Sequence, residues 1–488
     1  MSILAIFPLL TCALTILLAK RSAVFGALTG MLTAVVIILP SPDFRMDFDG
    51  LWLALTKALI LTLSAAIVIL PGLYFNALLS GRGIITNIQT WVEKLPYRTE
   101  HKVLLLLFGL LPAVESLTGF GVSLFLSIPI LFHLFNRRVA FRLAMLGMNI
   151  MPWGTLALAT VVGATLSGLT VGTLGYYTSL TSFLVFPLLA LVAMRVVGGS
   201  GLVRNTLPAA LSLSLCLSAV LVVFNWLHLT EVAGIIAGAV VCMIGAFVLP
   251  KTSISDVPIN HASALKAFIP YGLVLTVIIL ERSIPGAYDL LANSLVLKAG
   301  NVSFHVLTSP GVVLLIVALW VYWQKPIALP HSPLLKRARI SCVSLFAFVL
   351  LGQIMLQSGM IATFAKSLST WNGSVLTVIS PLMGMVSGFI TGSNLSGNAL
   401  TMLVQADIGN HIGKLALFAA AQNSGAGHTV FTSIPIIVLI LTLARDESES
   451  VDGETEVKEY ELLRFGVGTA LLVLPALVLM TIVSGYIL

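Results

Sequence analysis

Glu115 is the one acidic residue between Glu100 and Glu231. It falls inside VESLTGFG, Val114 to Gly121, in the middle of a long apolar stretch and just ahead of Gly119 and Gly121. If that stretch lies in a bilayer, as the composition below requires, an ionised carboxylate there costs at least about 2.5 to 3.5 kcal/mol on insertion scales. Glu115 is therefore expected to hold a proton part of the time, to have a partner, or to face a water-filled cavity. Burial favours the neutral form of a carboxyl, which suits a proton carrier. The competing reading is a helix-end glutamate that reaches the surface. Its depth, twelve residues in from Val103, disfavours that.

A second polar interruption, TGSNLSGN at Thr391 to Asn398, lies roughly 270 residues later, and two more apolar runs break at NIMPWGT (Asn149 to Thr155) and QNSGAGHT (Gln422 to Thr429). Unwound backbone exposes N–H groups, and a half-helix N-terminus carries positive partial charge. A small carboxylate can thus be held without a buried cation. Asn149, Thr155, Ser393, Asn394, Ser396, Asn398, Asn423, Ser424 and Thr429 are the candidate donors. Singly, such residues are packing contacts between membrane helices; clustered at four breaks, they read as the lining of a site. His428 is a titratable group inside a break and could assist anion binding or proton transfer, or be a buried structural histidine. Lys57, Arg142 and Lys414 lie near span ends, where long side chains reach the interface.

These residues must be positioned by membrane helices. The 488 residues are 58% hydrophobic and 9% charged, with a mean hydropathy of +1.06, against about 25% charged in an average soluble domain. Continuous apolar runs argue for an all-α polytopic membrane protein and against a β-barrel, whose strands alternate. The net charge of +7 is read as the cytoplasmic Lys/Arg excess of an inner-membrane protein; no polar domain carries a basic patch for nucleic acid. Cys12, Cys216, Cys242 and Cys342 stand singly in apolar segments, without metal-ligand spacing, and read as packing residues. No cofactor motif is present. Met1 to Ala19 lacks a basic leader and reads as a first span.

Span length and the positive-inside rule together predict about twelve transmembrane helices plus two re-entrant hairpins in one integral membrane unit, 1–488. Residues 103–134 are too few for two crossings. A hairpin there keeps Arg137, Arg138 and Arg142 inside, with Glu115 at its tip. The rest places a broken span at 139–166, an outside loop at 281–305, a cytoplasmic cluster at Lys325 to Arg339, a second hairpin at 374–405 entering from outside, a broken span at 412–443 and an acidic cytoplasmic loop, Asp446 to Glu461. An uninterrupted span is expected at Thr173 to Val197. The order of hairpin then broken span recurs, giving expected repeats at 51–197 and 325–488. An offset of 273 aligns Thr118-Gly119 with Thr391-Gly392, and one of 274 aligns Asn149 with Asn423. Hairpins from opposite faces are the pattern of an inverted-repeat secondary transporter.

At these motifs the chain resembles the lactate permease family. VESLTGFG is similar to that family's LEGAAGFG, and FITGSNLSGNAL (Phe389 to Leu400) to its FLTGSDTSSNAL. Weaker similarity extends through SGMIATFAKSL, LKAFIPY, AAQNSGAG and ELLRFGV. The resemblance implies proton-coupled import of lactate or a related 2-hydroxy monocarboxylate such as glycolate through a prokaryotic cytoplasmic membrane. By position it adds Gly119, Gly121, Thr391 and Gly392 to the site, beside Glu115, Ser393, Ser396 and Asn398. Three departures stand out: the family's aspartate is Asn394, its lysine falls at Val430, and bulky Leu117 replaces a small residue. The alternatives are a sodium-coupled carrier of another small organic anion, with TGSNLSGN holding the cation, and a passive anion channel. A membrane enzyme is disfavoured, since paired midspan aspartates, phosphate loops, HExxH and CxxC pairs are missing.

Overall fold

In hydrocarbon, a backbone must satisfy its own N–H and C=O groups, so the apolar runs fold as helices. The computed structural model describes residues 2–119, 121–251, 261–446 and 457–487. Phe120, inside the first motif, and 447–456, most of the expected acidic loop, lie outside the described residues.

In chain order the helices begin with α1 (Ser2–Leu17), α2 (Ala23–Ile38), α3 (Phe48–Gly81) and α4 (Ile84–Glu93). Next, α5 (Thr99–Leu105) runs through a π-turn at Leu106–Leu110 into α6 (Leu111–Thr118), followed by α7 (Val122–Leu134) and α8 (Arg137–Leu146). A 3-10 turn at Met151–Trp153 leads to α9 (Gly154–Ser167), α10 (Val171–Thr181), α11 (Val185–Trp226) and α12 (Thr230–Val248). After α13 (His261–Ser283) and α14 (Pro285–Ser294) come strands β1 (Val296–Ala299) and β2 (Val302–His305), then α15 (Pro310–Gln324), α16 (His331–Gln357) and α17 (Met360–Ser369). The chain closes with α18 (Gly373–Thr391), α19 (Asn394–His411), α20 (Leu415–Gly427), a 3-10 turn at Val430–Thr432, α21 (Ile434–Asp446) and α22 (Glu459–Ile487).

Burial follows the membrane pattern. Large apolar side chains such as Phe247, Trp323 and Tyr486 face outward, while Glu115, Asn149, Asn398, Gln422, Asn423 and His428 are fully buried. A polytopic helical membrane fold results. Among the described residues seven helices are long and apolar enough to cross, or ten if each bent pair counts once. The apolar helices α1, α2 and α15 have 16, 16 and 15 residues, a rise of only about 24 Å.

Two local expectations are corrected. The uninterrupted span at Thr173 to Val197 is broken at 182–184, between α10 and α11, without proline or glycine, and the helix that follows kinks at Gly198 and Gly199. The loop 281–305 holds α14 and an antiparallel hairpin that pairs Val296 with His305 and Ala299 with Val302. Between the spans at α16 and α18 lies a short helix, α17, with one apolar face. The two broken regions do share one order: helix, glycine break, helix, helix, 3-10 turn, helix. The turns lie two residues beyond Asn149 and beyond His428, so element order pairs Asn149 with His428 and not with Asn423.

Candidate functional site

At the first break, helix α6 stops because Gly119 adopts φ 65°, ψ −163°, a region open essentially to glycine alone. Gly121, at φ 75°, then starts α7 but has no side chain with which to cap it. Glu115 takes over that task from one turn upstream. Its Oε1 accepts from the Gly121 N–H at 3.1 Å, and its Oε2 accepts from the Ser123 N–H at 3.1 Å and the Ser123 hydroxyl at 2.7 Å. The carboxylate is buried and pairs with no lysine, arginine or histidine among the described residues. Helix N-termini stabilise negative charge, so these donors offset part of the cost of burying the ionised form.

The second break is built differently. Gly392 closes α18 in the left-handed region at φ 66°, and Ser393 caps α19, its Oγ accepting from the Ser396 N–H at 3.4 Å. Gly384 and Gly388 let α18 lie directly on the backbone of α20, since a Cβ on Gly388 would come within 2.1 Å of the Ala426 carbonyl oxygen. That close approach of small residues is how membrane helices associate. It brings Asn423 of α20 between α19 and the helices α9 and α10. Asn423 Oδ1 accepts from Asn394 Nδ2 (3.1 Å) and Asn398 Nδ2 (2.8 Å), and its Nδ2 donates to Thr160 Oγ1 (2.8 Å) and Thr178 Oγ1 (3.0 Å).

The two broken spans meet at their breaks. Each bends there, by 54° and 42°. Gly427 leaves room for Pro152, which would lie 2.6 Å from a Cβ at that position. His428, fully buried, stands edge-on to Phe186 at 5.4 Å between ring centroids and beside the Asn149 backbone. Thr155, Leu156 and Ala157 all have left-handed φ, 53° to 56°, at about 1 to 2 kcal/mol per residue. Thr155 is pressed against the first break: a Cβ on Gly119 would sit 1.5 Å from its Oγ1.

Three of the four breaks line one cavity of about 470 Å³, and the fourth reaches it through Val430, just past Thr429. Its wall is made of first-turn residues from five helix N-termini: Ser22 and Ala23 of α2, Gly121 of α7, Leu158 and Ala159 where α9 turns right-handed, Asn394 to Ser396 of α19, and Pro435 and Ile436 of α21. Thr155, Thr391, Gly392, Ser393, Ser341 and Ser344 complete the polar part, with no Lys, Arg, His, Asp or Glu among the described lining residues. First-turn N–H groups left over beside the caps and five dipole ends make such a cavity fit for a small anion.

Of the expected site residues, Gly121, Thr155, Thr391, Gly392, Ser393, Asn394 and Ser396 lie on this wall, whereas Glu115, Gly119, Asn149, Asn398, Asn423 and His428 do not. Glu115 is one hydrogen bond behind it, through Gly121; Asn398 and Asn423 are behind Asn394; Gly119 is behind Thr155. Asn149 and His428 belong to the crossing of the broken spans, with Asn149 Nδ2 donating to the Leu107 carbonyl at 3.1 Å.

A family model described as L-lactate permease matches residues 1–488. The chain belongs to the L-lactate permease family. An L-lactate permease from Streptococcus iniae is 25% identical over 449 residues, covering 86% of this chain and 93% of that protein. The Alcanivorax borkumensis YdaH transporter, whose crystal structure is described as having an unusual topology, aligns with a TM-score of 0.44 at 16% identity, over 95% of this chain and 98% of that one. Membership of the L-lactate permease family makes the chain a multi-pass membrane transporter and not an enzyme.

Some residues around the site escaped the sequence reading. Ser123 follows the first motif directly and holds Glu115; its position was the available signal. Ser22, Ser341 and Ser344 line the cavity from α2 and α16, far from any break in sequence. Thr160 and Thr178 orient Asn423 from within apolar helices. Val430, where the L-lactate permease resemblance puts a lysine, forms part of the wall.

Proposed function

We propose that the protein imports a small 2-hydroxy monocarboxylate, lactate or glycolate, together with protons across the cytoplasmic membrane. The reading is carried by one observation: Glu115 occupies N–H groups at the start of α7 whose first residue, Gly121, is part of the cavity wall. A substrate carboxylate at that wall needs the same donors. While ionised, Glu115 competes with it. Once protonated, Glu115 no longer needs them all, and the α7 N-terminus is free to bind the incoming anion. Proton and anion then bind together, as linkage between two sites requires.

Glycine breaks at both tips and bent spans beside them support alternating access between two inverted repeats, 51–197 and 325–488, with the cavity at their junction. The test is uptake into proteoliposomes over a series of mono- and dicarboxylates. An inward proton gradient should drive accumulation of lactate and glycolate, and exchange of sodium for choline should leave it unchanged. Uptake that needs sodium and ignores the proton gradient would overturn the reading.

A further inference from the structure

The amides around Asn423 form a chain whose polarity is fixed at both ends by backbone carbonyls. Thr160 Oγ1 donates its single hydrogen to the Pro152 carbonyl at 2.6 Å, so toward Asn423 it only accepts. Asn423 therefore turns its NH2 to Thr160 and Thr178 and its oxygen to Asn394 and Asn398. Asn398 gives independent agreement, since its Nδ2 also donates to the Ala159 carbonyl at 2.9 Å, which only an NH2 can do. Amide orientation is normally an assignment from the hydrogen-bond network; here no reversed arrangement satisfies both carbonyls.

The consequence falls on Asn394. One hydrogen of its NH2 goes to Asn423, and its Oδ1 has no partner among the described residues. The residue is 1% exposed and belongs to the cavity wall. A buried acceptor without a donor is destabilising until something supplies one. A carboxylate cannot, because it brings only acceptors; an adjacent hydroxyl can.

We propose that Asn394 determines specificity for the substrate's 2-hydroxyl group, accepting its hydrogen bond through Oδ1, with Asn423 and Thr160 as positioning residues. The inference rests on the reading of the cavity as the substrate site. With the carboxylate at the helix N-termini, the hydroxyl on the next carbon meets Asn394. A 2-oxo acid presents a second acceptor there, and an unsubstituted acid presents nothing.

The test measures KM for lactate, pyruvate and propionate in proteoliposomes of the full chain. The unaltered protein should favour lactate over pyruvate by roughly 10- to 100-fold, the range for a polar group left unpaired in a binding site. Asn394→Ala should raise the lactate KM about tenfold and leave that for propionate within about twofold. Thr160→Val, which unlocks Asn423 at a distance from the cavity, should lower the lactate-to-pyruvate preference in the same direction. A merely structural role would move all three acids together, and that result would overturn the assignment. So would sodium-dependent lactate binding that disappears in Asn394→Ala, since the oxygen would then hold a cation. Equal KM values for all three acids in the unaltered protein overturn this assignment alone, whereas uptake of none of them overturns the reading of the cavity as well.

Discussion

On the proposed mechanism, replacing Glu115 by glutamine should separate the proton from the anion. From the described residues the carboxylate receives three hydrogen bonds on two oxygens, one from Gly121 and two from Ser123, and a glutamine has one oxygen. Turned toward Ser123, that oxygen keeps both of its bonds and sets the NH2 against the Gly121 N–H. Turned toward Gly121, it keeps that bond and loses the Ser123 N–H, while the Ser123 hydroxyl can rotate to accept. Either way one buried N–H loses its acceptor, and Glu115→Gln should lose about 1 to 3 kcal/mol of stability, readable as a lower Tm in detergent. The variant also mimics the protonated state permanently. With one proton moved per anion, a gradient of one pH unit supplies about 1.36 kcal/mol, enough for about tenfold accumulation. In proteoliposomes with an acid exterior, the unaltered protein should concentrate labelled lactate up to that ratio. Glu115→Gln should equilibrate it at a ratio of about one, yet retain lactate–lactate counterflow, with a KM that no longer depends on pH. Accumulation by Glu115→Gln equal to that of the unaltered protein would refute proton carriage by this residue.

Three further outcomes are expected. Gly119→Ala places a methyl group 1.5 Å from Thr155 Oγ1 at a glycine-only backbone conformation; transport should fall at least tenfold, and adding Thr155→Gly should restore part of it, a coupling measured in the double mutant. Asn423→Ala takes the acceptor from Asn394 Nδ2 and one of the two acceptors from Asn398 Nδ2, so a loss of about 1 to 3 kcal/mol should appear as a reduced Tm. Cysteines introduced at the exposed Asn136 and Asn410 should react with impermeant thiol reagents from the cytoplasmic and the external side respectively, and reaction of both from one side would refute opposed hairpins.

What the sequence made legible was punctuation. Gly119, Gly121, Pro152, Gly154 and Gly392 mark the breaks because their backbone restrictions belong to the residue itself. Glu115 stood out because a lone acid in hydrocarbon demands an explanation. Its partners did not, since two of its three bonds go to backbone N–H groups, which every residue but proline possesses. The left-handed run at Thr155 to Ala157 is imposed by packing on residue types that disfavour it. Ser22, Ser341 and Ser344 reach the cavity only through the packing of α2 and α16, which no local pattern records. The hairpin at 296–305 was readable, with Gly300-Asn301 between alternating apolar residues as a two-residue loop signal, but its flanking polarity made the segment look like a plain loop. The order of the broken regions was visible, whereas the partnership of Asn149 with His428 needed the 3-10 turns to set the register.

A wall built from peptide dipoles instead of fixed charges also bears on membrane voltage. On the proposed cycle, the empty carrier returns with one negative charge, on Glu115. The loaded carrier crosses with one negative charge as well, on the substrate, Glu115 being neutral. A potential of 100 mV acts on each charge with about 2.3 kcal/mol, but it favours one leg by as much as it opposes the other. A cell with a negative interior therefore imports an anion without working against its own electric field, and uptake follows the pH difference alone.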